Sequence, residues 1–331
     1  MIASRLVMQI FRFSIMRNIV FIILIFGLWS CTEVVELPFP ATSSNLVLNC
    51  ILHPDSIIKA RITTSLPATD TNNRFVTVSN ATMLLYENNN LLDTFAYGGN
   101  GTYELERYPK PGSEYKINVI VPGYPVLTAS EQVPLSPSVN VCYDEFLTLL
   151  GGNYIDIIVY LSDVAKKNNA YWFHVVLSDY KRLGRLKYDS TQTENIPVFY
   201  LLSTSAIADD FNAILDHTYG RNGYRYYLRL EDKSFNGSVV EQTIGFTDNY
   251  FRFGKVATFT EDQEVIIHIT NASQNYDRYL KSSFTYFLNQ DFYEPNLFFE
   301  PIQIHSNIEN GTGIFAAYNS ISIPVEEFPC E

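Results

Sequence analysis

From Asn45 to about Pro137 the chain alternates apolar and polar positions in short runs broken by turn residues. The runs "LVLNCILH", "IIKARITTSL", "ATMLLYEN", "NLLDTFAY", "GTYELERY", "EYKINVIV" and "YPVLTASEQVP" predict strands, because a period of two buries one face of a pleated strand. In the first run Leu46, Leu48, Cys50 and Leu52 share a face, so Cys50 reads as a small core residue. In the sixth, Tyr115, Ile117, Val119 and Val121 share one face, and Lys116, Asn118 and Ile120 the other. "PKPGS" and "VPGYP" supply the turns at its ends. Seven strands in about ninety residues predict an immunoglobulin-like β-sandwich over residues 46–137.

"VPLSPSVN" (Val133 to Asn140) reads as a linker into a larger, β-rich domain over residues 138–331. There "YIDIIVYLSD" places Ile155, Ile157, Val159 and Leu161 on one face, and "AYWFHVVLSD", "GYRYYLRLED" and "EVIIHITN" continue the alternation. One segment changes period. Tyr276, Tyr279, Leu280, Phe284, Phe287 and Leu288 follow helical spacing, which predicts a helix near 272–289, with Asn271 as its cap and Gln274 at the capping-box position. Residues 180–222 read as a long insertion. The fold class expected is mainly β. The hairpin "YPKPGSEYKINVIVPGYP" also resembles the carboxypeptidase-regulatory-like domains of bacterial surfaces.

Ahead of the strands stands the apolar run Ile19 to Trp29, eleven residues long behind Arg17. A spanning helix needs about 20 apolar residues. The run instead has the length of a secretory h-region, about 7–15 residues. Residues 1–30 are therefore expected to be a signal peptide, whose true start is possible at Met16. Leu28-Trp29-Ser30-Cys31 resembles a bacterial lipobox, so Cys31 is the expected lipidation site and residues 31–45 the anchor and spacer. Each buried CH₂ contributes about 0.8 kcal/mol, and more than one acyl chain holds a protein on a membrane durably.

Composition narrows the partners. The chain has 35 acidic residues, and loss of Arg5, Arg12 and Arg17 with the signal leaves 20 of its 23 basic ones. So acidic a chain repels nucleic acid. With Cys31 acylated, Cys50, Cys142 and Cys330 remain, and Cys142 and Cys330 are a possible disulfide of an oxidising compartment.

Catalytic patterns are missing from the sequence: there is no nucleophile elbow, Walker loop, dinucleotide fingerprint, C-x-x-C or H-E-x-x-H. No cofactor is expected. His174 shares a strand face with Trp172, and His268 one with Ile266, so both read as packed or rim histidines; His53, His217 and His305 match no ligand spacing. Asp209, Asp210, Asp216 and His217 offer metal donors, yet acids that open a helix equally complement its dipole. "KRLGRLK" (Lys181 to Lys187) is a basic island that reads as a solvated loop. Phe292, Tyr293, Phe298 and Phe299 crowd a Pro-broken loop and are the candidate exposed patch for a ligand or partner.

Two segments carry a family resemblance. "CTEVVELPFPATSSNLVLNCIL" and "FFEPIQIHSNIENGTGIFAAYNSISIPV" resemble the Bacteroidota lipoproteins grouped as domain of unknown function 4249. The second segment holds Pro301, Ser306-Asn307-Ile308-Glu309, Gly311, Gly313-Ile314-Phe315 and Ala317-Tyr318 of the family's late element. Its glycines predict positive φ or a close backbone approach, with Ile314, Phe315 and Tyr318 seating the turn and Asn307 and Glu309 capping backbone N–H groups. The resemblance implies a surface lipoprotein linked to TonB-dependent receptors, and it brings no catalytic residues. Glu33 and Glu36, just after Cys31, weakly match the acidic export signal of such proteins. Asp55-Ser56-Ile57 and Asp189-Ser190-Thr191 resemble the O-glycosylation tripeptides of that phylum; the first is expected to lie buried in a strand, which favours Ser190.

The function expected is a non-catalytic, outer-membrane lipoprotein facing the cell exterior. It would bind a glycan or peptide ligand, or serve a TonB-dependent receptor. A structural or assembly component of the envelope and a surface hydrolase are the alternatives.

Overall fold

A computed structural model describes residues 44–66, 75–147, 153–165, 168–180, 194–197, 202–203, 227–247, 264–290 and 302–324. The strands of the first half are β1 (Leu46–Leu52), β2 (Ile58–Thr64), β3 (Val76–Thr77), β4 (Thr82–Glu87), β5 (Asn90–Thr94), β6 (Ala96–Gly99), β7 (Thr102–Leu105), β8 (Glu114–Ile120) and β9 (Leu127–Gln132). Those of the second half are β10 (Ser138–Leu147), β11 (Asn153–Ser162), β12 (Ala170–Tyr180), β13 (Glu194–Pro197), β14 (Leu202–Ser203), β15 (Leu228–Glu231), β16 (Val239–Thr247), β17 (Glu264–Ala272) and β18 (Thr312–Pro324). One helix, α1 (Gln274–Gln290), joins them among the described residues. The protein is mainly β.

The alternating runs become strands whose apolar face is buried. β1 reads inward at Leu46, Leu48, Cys50 and Leu52, each at most 1% exposed. β8 does the same at Tyr115, Ile117 and Val119. The run "NLLDTFAY" divides in two: Phe95, buried, donates its N–H to Met83 O at 3.0 Å and hands the chain from β5 in one sheet to β6 in the other. A strand that switches sheets closes the corner of a sandwich.

One sheet of ten strands runs through the whole unit, in the order β13-β12-β17-β18-β1-β2-β7-β6, with β15 beside β12 and β3 beside β2. Two four-stranded sheets, β5-β4-β8-β9 and β10-β11-β16-β14, accompany it. The long strand β18 joins the halves. Thr312 to Ala317 run parallel to β1, and Tyr318 to Pro324 run antiparallel to β17.

The parity of β18 places the layers. Phe315 and Ala317 enter the core with Leu48, Ile117 and Leu127, while Ile321 and Ile323 pack on the core of Ile157, Val159, Phe173 and Ile267. These odd positions share a face, so both four-stranded sheets cover the same side of the large one. Tyr318, of opposite parity, stacks on Tyr276 of α1 at 5.1 Å, so the helix covers the other side. Residues 44–331 thus form one compact unit, in which the last strand completes the sandwich that the first strand begins.

The helix lies where its periodicity predicts, but its cap differs. Ser273 caps it, with Oγ accepting from Tyr276 N at 3.3 Å, because Asn271 is still a residue of β17, paired with Asn319. Cys50 is a free, buried thiol whose pKa burial raises to about 12, so it is inert. Cys142 is disulfide-bonded; Cys330, the partner considered above, lies outside the described residues.

Candidate functional site

The late sequence motif is a lock between strands. Gly313 has φ +108°, and a Cβ there would stand 2.0 Å from Leu48 O, so no other residue lets β18 approach β1 this closely. Gly311 is constrained by contact rather than φ: its Cβ would meet Leu127 Cδ2 at 2.7 Å and Leu46 O at 2.9 Å. Asn307 clamps the backbone of Phe315 in both directions, accepting from its N–H at 2.9 Å and donating to its carbonyl at 2.7 Å. Glu309 departs from its expected capping role. Its carboxylate accepts from the Thr128 hydroxyl, and its own N–H donates to Thr128 O. The motif therefore fastens β18 to β1 and β9.

At the other end of β9 a recess of about 250 Å³ opens where the two halves meet. Its polar wall is Glu131, Gln132, Asn168, Asn169, Asn271, Ser273 and Gln274; Pro134, Leu135 and Val164 supply apolar wall. Glu131 occupies the inward parity of β9, after Leu127 and Ala129, and is only 9% exposed. Its oxygens accept from Ser273 Oγ at 2.8 Å and Gln132 N at 2.9 Å. Burial nevertheless raises its carboxyl above the usual carboxylate range, against those bonds.

Ser273 is the hub of this junction. Its Oγ donates to Glu131, caps the helix and accepts from Ala317 N at 3.2 Å. The cross-strand partners Asn271 and Asn319 donate their amides at 3.1 Å to Leu135 O and Pro134 O, which pins the predicted linker to the large sheet. Asn271 Oδ1, buried at the recess, has no hydrogen-bond partner among the described residues. Asn169 shapes the opposite rim by donating to Asp163 Oδ1 at 2.9 Å, while Tyr171 donates to the same oxygen at 2.7 Å. A recess of amides, one carboxylate and an apolar wall can give and take hydrogen bonds with a neutral, polar ligand.

A second buried polar group holds the helix. Arg229, 1% exposed, forms a two-pronged bond to Asp277, with Nε at 2.6 Å from Oδ1 and Nη2 at 2.8 Å from Oδ2. Trp172 Nε1 donates to the same carboxylate at 3.0 Å. Tyr276, Leu280 and Phe284 pack around Trp172. Farther along the same face His174 and His268, paired across β12 and β17, stack at 4.9 Å. Burial, and then the neighbouring His268, lower the His174 imidazole to about 4.

The residues singled out in the sequence fall unevenly. Cys31, Ser190, Phe292, Tyr293, Phe298, Phe299 and Cys330 lie outside the described residues, as do Asp209, Asp210, Asp216 and His217. Ser56 differs from expectation: it sits exposed in the turn between β1 and β2, because the strand ends at Leu52 and Pro54 opens the turn. His53 stacks on Tyr318 at 4.5 Å, and His305 Nε2 lies 3.0 Å from Asn275 Oδ1. Among the described residues no three His, Cys, Asp or Glu side chains gather as a metal site. The sequence reading named two recess residues, Asn271 and Gln274, only as a helix cap, and the others escaped it. The signal available was a carboxylate, Glu131, at a core-facing position of an alternating run.

Comparison with known proteins gives one decisive match. No curated protein matches the chain. Among solved structures, a mutant of Salmonella alpha-2-macroglobulin is similar at a TM-score of 0.20 and 11% identity, over 91% of this chain and 16% of that one. The B domain of a biofilm associated protein is similar at 0.16 and 10% identity, over 84% and 85%. At such scores neither likeness carries an argument. A family model covers residues 32–323, from the position after Cys31 almost to the end of β18. The chain belongs to the family described as domain of unknown function (DUF4249).

Proposed function

We propose that this protein is a non-catalytic binding lipoprotein, held by an acylated Cys31 to the outer membrane and facing outward, that serves a TonB-dependent uptake system. The observation that carries the binding role is the recess of Glu131, Asn271 and Ser273, with an unpaired amide oxygen against an apolar wall. Its chemistry suits a glycan or a short peptide, whose hydroxyl or amide groups donate as well as accept. The disulfide at Cys142 supports an oxidising compartment, and Cys330 is its proposed partner.

Two experiments test this reading. Affinity isolation of the tagged chain from native membranes is expected to bring a receptor barrel with it; repeated recovery alone counts against the uptake role. Calorimetric titration with glycan and peptide panels is expected to give binding that Asn271→Ala abolishes. Heat from a ligand indifferent to Asn271→Ala would move the seat elsewhere.

A structural role in the envelope is the second reading. It is favoured by how many recess groups are already bonded to one another: Ser273 to Glu131, and Asn271 to Leu135. A general envelope defect on gene deletion supports it, whereas a defect confined to one nutrient supports the uptake role. Turnover of any panel substrate would instead identify a surface hydrolase.

A further inference from the structure

Strand direction gathers a set of loops at one end of the first sandwich. β1 begins at Leu46, beside Thr64 at the end of β2, and Thr64 pairs with Val76 at the start of β3. Ser65 fastens the emerging chain there. Its Oγ accepts from Asn45 N at 2.9 Å, its carbonyl accepts from Ser44 Oγ at 3.0 Å, and its N–H donates to Asn45 O at 2.7 Å. In the facing sheet β8 ends at Ile120 and β9 begins at Leu127. The loop between them reaches the same end, because Asn310 Nδ2 donates to Val126 O at 3.0 Å and Gly311 lies against both Leu127 and Leu46.

Among the described residues this end is apolar and carries little charge; in sequence, Asp70 and Arg74 stand between Leu66 and Phe75. Phe75 is 64% exposed, Val76 60%, Ile120 43%, Val126 42% and Tyr124 37%. Residues 44–46, 64–66, 75–81 and 120–127 contain no Asp, Glu, Lys or Arg. Glu309, beside them, is engaged by the Thr128 hydroxyl. The opposite end of the same sandwich carries Asp55, Glu87, Glu106, Arg107, Lys110 and Glu114 in its turns and strand ends. A soluble protein normally scatters its exposed apolar side chains, and a cluster of them marks an interaction surface.

What this end meets follows from what is attached to it. Cys31 lies thirteen residues before Ser44. A chain of thirteen residues spans at most about 45 Å at full stretch. An anchored Cys31 therefore joins the lipid to this end, which is nearer to the anchor along the chain than the charged one by the length of β1. Phe, Val and Ile suit the boundary of acyl chains and headgroups, and Tyr its wet edge.

We propose that Phe75, Val76, Ile120, Tyr124 and Val126 seat this end of the sandwich on the surface of the bilayer. The inference rests on the anchor of the proposed function and adds an orientation to it. Glu131 stands at the far end of β9, so the recess is lifted away from the lipid and stays open to water.

The test uses the full chain purified from membranes and placed in phosphatidylethanolamine and phosphatidylglycerol vesicles that contain brominated lipid. Tyr124→Trp is expected to lose emission to the bromines, and Tyr108→Trp, a residue 61% exposed at the charged end, to keep it. Trp172 is 4% exposed and gives the same background in both. Phe75→Trp, on the other sheet, repeats the measurement should the first variant fold poorly. Equal loss at both ends, or no loss at Tyr124→Trp and Phe75→Trp, overturns the orientation while acyl mass and sedimentation with vesicles keep the anchor. A chain without acyl mass that stays in the supernatant overturns both.

Discussion

The two halves of the molecule are held together by different means. The first sandwich closes mainly on apolar side chains: Leu48, Leu52, Ile62, Met83, Leu85, Ile117 and Val119 are all fully buried. The second half has an apolar core of its own, but its helix is fixed by charge, through Arg229, Asp277 and Trp172 beneath Phe284. An apolar interface is non-directional and accepts side chains of similar volume. A buried ion pair is directional, and removal of one partner strands the other. The halves should therefore tolerate substitution very differently, even where burial is equal.

The strand that joins them is the most sensitive point. Gly313→Val forces a Cβ into Leu48 O at a φ that branched residues avoid, and should cost more than about 4 kcal/mol. Loss of soluble, cooperatively unfolding protein is the expected result; an unchanged urea midpoint would contradict the β1–β18 register. Asp277→Ala should cost about 3–5 kcal/mol by removing both short bonds to Arg229. The double variant Arg229→Met, Asp277→Leu should recover part of that loss in the same unfolding measurement. If it is no better than Asp277→Ala, the charge was not what made the site intolerant.

In the first sandwich Leu48→Ala should cost about 3 kcal/mol, whereas Leu48→Met should cost less than about 1.5 kcal/mol. A large loss from Leu48→Met would erase the contrast between the halves. The smallest effect is a pH dependence from one imidazole of the second half. His174 titrates near 6.5 when unfolded and about 4 when folded, so the fold favours its neutral form. That contribution is present above pH 6.5 and is lost as pH falls toward 4. Because the ring is only half-buried, solvent screening leaves on the order of 1–2 kcal/mol. Urea midpoints at pH 7 and pH 5 should differ less in His174→Phe than in the parent chain.

Much of this was legible beforehand because period and parity are local properties. The faces of β1, β8 and β11 and the packed stripe of α1 follow from spacing alone. The close approach at Gly311 and Gly313 was equally readable from two glycines in one short motif, although the turn expected around them is the start of β18. The division of "NLLDTFAY" at Phe95 was not, since a strand that changes sheets keeps its alternation while its partners change. Ser273 replaced Asn271 as the cap because pairing with Asn319 extended β17 over the predicted start of the helix.

The sequence by itself determined which positions face inward, where the helix lies, which glycines permit a close backbone approach and which family the chain resembles. Tertiary structure alone decided that β18 returns to β1, that Glu131 meets Ser273, that Arg229 meets Asp277, and that Phe75 and Tyr124 share one end. The physical reason is range. Hydrophobic periodicity is set by neighbours two to four positions apart. A buried polar group takes whatever partner the fold brings within hydrogen-bond distance, and Glu131 and Ser273 stand 142 residues apart.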